Sequence, residues 1–172
     1  MSGGTSPYFY AWSPSGGSGA TAANLSAGNY TVVVTDNNGC TFSQPFAITQ
    51  PTAMAVNPVL SQVSCHGGAN GSITVTANGG AGGYSYQWSV AGSTNVASNL
   101  AAGTYTVTVT DVNGCTFIQS NAITQPTAIV LTPSATNILC NGQTNGTVGV
   151  VPQGGTPPYN YLWTGGAVTV TV

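Results

Sequence analysis

The sequence predicts an all-β protein built of tandem Ig-like, fibronectin-like β-sandwich repeats of about 75 residues. Three observations predict it. Thr, Val and Tyr alternate with period two in runs such as "TYTVTVTD", 104–111, as in a strand with one buried face. No segment of useful length carries a helical period. Gly- and Asn-rich breaks ("HGGANG", "NGGAGG", "VAGS", "AAG", "VNG") cut the chain into pieces of strand length at the spacing of a sandwich. Abundant Gly, Ser, Thr and Asn with almost no charge would suit disorder, but disordered chains are poor in the aromatic and β-branched residues that are plentiful here.

The elements follow from a repeat. "DNNGCTF" at 36–42 returns as "DVNGCTF" at 111–117, and "AITQPTA" at 47–53 returns at 122–128, both at a step of 75. The same step carries Cys65 to Cys140, Gly79-Gly80 to Gly154-Gly155 and Trp88 to Trp163. From Trp12 to Trp88 it is 76, which implies one extra residue in the loop after Trp12. "ITQPT" closes each unit, its Pro ending β-pairing and its brevity restricting hinge motion. The chain thus divides into a partial repeat at 1–52 (strands C to G), a complete repeat at 53–127 and a partial repeat at 128–172 (strands A to C). Because the cuts fall inside units, Met1 is not expected to mark a natural start. In the complete unit, strand A is expected in two pieces at 53–58 and 60–65, B at 72–77, C at 84–89, E at 94–99, F at 104–111 and G at 115–123.

Three related strings, "SPYFYAWS", "GGYSYQWS" and "PPYNYLWT", place aromatic residues on one face of each strand C. Trp12, Trp88 and Trp163 are expected as core anchors, since a unit this small needs large side chains to fill its interior. In the middle unit Tyr86 and Trp88 should pack against Ile73, Val75, Tyr105, Val107 and Val109. The segment Leu100–Tyr105 resembles the turn into strand F of immunoglobulin and fibronectin type III folds, which makes Tyr30 and Tyr105 the expected tyrosine-corner residues. Tyr8, Tyr84 and Tyr159, nearest the loops, are candidates for contact with a glycan or a neighbouring repeat.

Composition excludes several functions. The 172 residues include no Lys or Arg, two acids (Asp36 and Asp111) and one His. Such a chain cannot release counterions from phosphates, so neither nucleic acid nor an anionic membrane surface is an expected partner. General acids and bases are nearly absent and no nucleophile–base pair is visible, so an enzyme is not expected, nor is a cofactor. No metal is expected: His66 has no counterpart at Asn141, and one carboxylate per unit is a poor calcium site. Asp36 and Asp111 read instead as the first residues of Asp-x-Asn-Gly turns. No apolar stretch is long enough to insert in a membrane, and the N-terminus lacks the basic and apolar regions of a signal peptide.

The string "SCHGGANGSITVTANGGAGGYSYQWS", followed by "NLAAGTYTVTVTDVNGCT", resembles the SprB-type repeat of Bacteroidota gliding-motility adhesins and related large cell-surface proteins, and "CNGQTNGTVGVVPQGGTPPYNYLW" is close to the same pattern. The middle copy departs from it with Ala81-Gly82-Gly83 where Pro is usual, and Asn70 and Asn145 stand where such repeats often carry Asp. The resemblance implies a secreted, extracellular protein of the cell surface: the structural shaft of a multi-repeat adhesin or filament. Its implied partners are neighbouring repeats of the same chain, other copies in a fibre, and surface polysaccharide. A carbohydrate-binding surface module using exposed strand C tyrosines is the alternative.

Cys40, Cys65, Cys115 and Cys140 occupy two repeated positions and suggest disulfides in an exported protein. Three pairings are open. Cys65 with Cys115 would close one unit, although sandwich topology puts these residues at opposite ends, farther apart than the roughly 7 Å between Cα atoms that a disulfide spans. Cys40 with Cys65, and Cys115 with Cys140, would staple neighbours. In the third pairing the A–B turn of one unit faces the F–G turn of the next, and Cys65 meets a cysteine one period beyond Cys115.

Overall fold

A computed structural model describes residues 3–164 and 170–171. The outermost residues of both partial repeats, Met1 among them, lie outside the described residues. Residues Met1–Thr52 and Ala53–Val172 form two compact units. The described residues are all-β, in small antiparallel sheets.

The first unit holds β1 (Phe9–Ser13), β2 (Gly28–Thr35) and β3 (Thr41–Ile48), ordered β1-β2-β3. The second unit begins with the complete copy. Its strands are β4 (Ala55–Ser61), β5 (Gly71–Asn78), β6 (Ser85–Trp88), β7 (Val96–Leu100), β8 (Gly103–Thr110) and β9 (Thr116–Ile123). They form two sheets, β4-β5-β7 and β6-β8-β9. The third copy contributes β10 (Val130–Thr136) paired with β11 (Thr147–Gln153), and β12 (Tyr159–Asn160) paired with β13 (Val170–Thr171).

Alternation explains the core. In β8 the Val107 and Val109 side chains are fully buried while the neighbouring Thr residues point away, and β5 does the same with Ile73 and Val75. These are the central strands of the two sheets, and their inward faces meet in one cluster with Val56, Val63, Trp88, Ala97, Leu100 and Ile123. Tyr84, Tyr86, Tyr105 and Phe117 pack against its margin.

Three expectations change. Strand A is one continuous strand: Pro58 lies opposite Val75 inside the β4–β5 ladder. Because β4 is an edge strand, a residue without an N–H is tolerated there, so the proline does not break it. Strand E starts at Val96 rather than 94, since the Thr94 carbonyl accepts the Trp88 indole N–H (2.9 Å) in the preceding loop. In the first copy the corresponding segment, 21–25, forms no strand. β7 is held in place by β5, and the first unit has no equivalent of β5 among its described residues.

Two glycines fix the chain path. Gly79 has φ +74°, and a Cβ there would lie 2.1 Å from the Ala53 carbonyl oxygen; Gly154 repeats this against Ala128 at φ +76°. Only glycine permits this backbone approach at positive φ.

Candidate functional site at the junction between copies

The aromatic face of strand C is largely internal. Trp88 is buried, and Trp12 and Trp163 are half-buried. The Trp12 indole N–H donates to the Gly19 carbonyl (2.9 Å), the counterpart of the Trp88–Thr94 bond, with the extra residue absorbed in the loop between them. Tyr8, Tyr84 and Tyr159 are each half-buried, and each hydroxyl donates to a carbonyl in its own glycine loop: Gly3, Gly79 and Gly154 respectively. The Tyr30 hydroxyl donates to the Ser26 carbonyl and that of Tyr105 to Ala101, both at 3.0 Å and both four residues back. Tyr30 is buried and Tyr105 half-buried.

Each carboxylate serves as an acceptor hub. Asp111 Oδ1 accepts from the Asn113 and Cys115 N–H groups at 3.0 and 2.9 Å, and Oδ2 accepts from Ala81 N–H at 2.9 Å. Asp36 repeats this with Asn38, Cys40 and Thr5. The bond from Ala81, and from Thr5 in the first copy, is the strongest of the effects holding these carboxyls below the ordinary value of 3.8, against the upward push of desolvation. Asp111 therefore ties the F–G turn to the approach to strand C, a link between segments thirty residues apart. That third donor is invisible in an Asp-x-Asn-Gly motif.

The junction between the middle and third copies is bonded along its length. Val63 N–H donates to Thr124 O (3.0 Å), and Gln62 Oε1 accepts from Thr124 N–H (2.6 Å). Gly67 N–H donates to Gln125 Oε1 (2.8 Å), and His66 Nδ1 lies 3.3 Å from the Pro126 carbonyl oxygen, a contact that selects the Nδ1–H tautomer. On the other side Gly155 N–H donates to Thr127 O (2.8 Å). A cavity of about 390 Å³ lies here, bounded by Cys65 and His66 from the middle copy, the linker, and Ile129, Gly155 and Thr156 from the third. In sequence Gln62, Gln125 and the bonded linker were overlooked; the signal available was the recurrence of Gln50 at Gln125 before the linker proline.

All four cysteines are exposed free thiols. Cys65 sits by the linker that follows β9, whereas Cys115 precedes β9, so the eight residues of that strand, roughly 25 Å, separate them. The pairing within one unit is thereby excluded on geometry. The cavity places Cys65 beside Gly155 and Thr156. In the middle copy the matching residues, Gly80 and Ala81, lie against the Asp111 turn that ends at Cys115.

No curated protein matches the chain. The family model described as the SprB repeat matches residues 57–92 and 132–168, two segments that start one period apart within the second and third copies. SprB repeats are typical of cell-surface proteins. With its 75-residue period, its all-β copies and these two matches together, the chain is one that carries tandem SprB repeats.

Proposed function

We propose that this chain forms part of the structural shaft of a secreted, multi-repeat surface adhesin or extracellular filament of the gliding-motility type, with a mechanical rather than catalytic role. The observation that supports this reading is the bonded junction. The linker 124–127 is held by hydrogen bonds to the A–B loop before it and to the third copy after it, as a load-bearing series of modules requires and a loose string of binding modules does not. The absence of Lys and Arg removes every trypsin-type cleavage site, which suits life outside the cell. The partners in this reading are adjoining repeats, other chains and surface polysaccharide, and neither nucleic acid nor a membrane interior.

Carbohydrate recognition by Tyr8, Tyr84 and Tyr159 loses support, because their hydroxyls are engaged by their own loops and the Tyr84 ring packs against the core. An antibody raised against residues 53–127 tests the shaft reading by immunogold labelling of intact source cells. Gold displaced outward from the envelope is expected; labelling only after lysis would sink the proposal.

A further inference from the structure

The two partial copies expose the faces that the complete copy buries. Ile73 and Val63 are 0% and 2% exposed, but their third-copy equivalents Val148 and Ile138 are 68% and 52% exposed. On the other side, Ile123 is 2% exposed and its first-copy equivalent Ile48 is 38% exposed. The third copy thus presents the inner face of an A–B sheet, including an open cavity of about 510 Å³ lined by Ile129, Leu131, Val150 and Trp163. The first presents the inner face of a C–F–G sheet. These are the two sheets that pack together in the middle copy.

A second observation is independent of side-chain exposure. β5 pairs on both edges, with β4 and β7, whereas β11 pairs only with β10 and leaves one edge open among the described residues. Residues 21–25, the counterpart of β7, lack a partner strand. One partial copy has an edge without a strand, and the other a strand segment without an edge.

We infer that a second copy of this chain fills both vacancies. The β10-β11 sheet of one molecule packs on the β1-β2-β3 sheet of the next, and residues 21–25 of the next molecule add to the free edge of β11. The inference deepens the filament reading by naming the faces that join chains. Only one strand C fits in the composite sandwich. β1 makes five paired positions with β2 and β12 makes two with β13, so β1 remains and Tyr159–Asn160 is displaced.

The same join partners the cysteines. The F–G turn of the composite copy is that of the next molecule, and it brings Cys40 of that molecule to the place beside Gly155 and Thr156 that Cys65 faces. One period further along, Cys140 meets Cys115 of the next molecule. Each pair forms by exchange with a small-molecule disulfide such as oxidised glutathione. One thiolate displaces a glutathione thiolate, the second attacks the resulting mixed disulfide, and two reduced glutathiones leave for each bond formed.

The test is mass against concentration for the full chain, from about 1 µM to about 0.5 mM, by light scattering under reducing conditions. Growing polymers are expected from the unsubstituted chain. Val148→Asp and Ile48→Asp should each give monomers at every concentration. Their equimolar mixture should give a dimer and nothing larger, because one intact tail then meets one intact head. That rescue also shows that both variants fold. An unsubstituted chain that stays monomeric, a variant that still polymerises, or a mixture without dimer would each overturn the proposal. Oxidation with glutathione disulfide followed by peptide mapping supplies a readout without substitutions: intermolecular Cys65–Cys40 and Cys140–Cys115 are expected. Predominant pairing of any other kind also overturns it. The filament reading fails separately, by the immunogold result.

Discussion

The middle and third copies share a pattern and a path but not an interior. Both pair strand A with strand B, and both bring a glycine against a carbonyl at the same turn. Yet Ile73 is sealed and Val148 is bare. Strand pairing in this repeat is therefore local, settled by alternation and turn chemistry, whereas burial is settled by whether a second sheet is present. The first copy teaches the same from the other side: it keeps the Tyr30 corner and the Asp36 hub but loses strand E, which only a strand B partner can hold.

The sharpest way to break this comparison is to truncate matched positions. Ile73→Ala should cost about 2–5 kcal/mol, because it leaves a cavity between packed sheets. Val148→Ala in the dilute monomer should change stability by less than about 0.5 kcal/mol, as for an exposed site. Urea denaturation followed by tryptophan fluorescence measures both, and equal losses would refute the idea that the third copy lacks a core.

A smaller effect separates the corners from the cores. Tyr105→Phe and Tyr30→Phe should each cost about 1 kcal/mol, the worth of a single hydrogen bond, since both corners are intact whether or not their copy is complete. Asn121 gives an effect of opposite sign. Its Nδ2 is buried without a partner, at the position where the first copy has Phe46 beside Trp12. Asn121→Val should raise stability by up to about 1–2 kcal/mol, read as a higher urea midpoint with an unchanged slope.

The smallest expected effect is on acid tolerance. Asp36 and Asp111 titrate below the ordinary 3.8 when folded, so their contribution is complete above that value and is lost as pH falls from there toward the folded-state pKa. Melting temperature should be flat from neutral pH to just above that point and then decline. Asp111→Asn should start lower and decline less, because it removes one of the two titrations. An unchanged acid slope would mean that the hub bonds add nothing to the fold.

Much of this was legible in the sequence because it depends on nearby residues. The period of 75, the alternation in β8, and the aspartate turns all lie within a few residues of their cause. Strand A was read as broken because a proline looks the same in an edge strand as in a central one, and only the sheet order distinguishes them. The bond from Ala81 to Asp111 and the seat of the linker on Gln62 and Gly67 join residues thirty to sixty positions apart, which no local pattern records. Asn121 was unreadable for another reason: a polar side chain at an inward position contradicts the alternation that otherwise marks the core.

The two carboxylate hubs have a consequence for behaviour in bulk solution. The chain's only formal negative side chains are both buried, each turned inward on three backbone donors. Seen from outside, the molecule offers hydroxyls, amides and apolar groups but almost no ionic field. Its colloidal behaviour should therefore follow hydration rather than charge: nearly constant from low to moderate sodium chloride, without a sharp isoelectric minimum, and responsive chiefly to strongly salting-out anions such as sulfate.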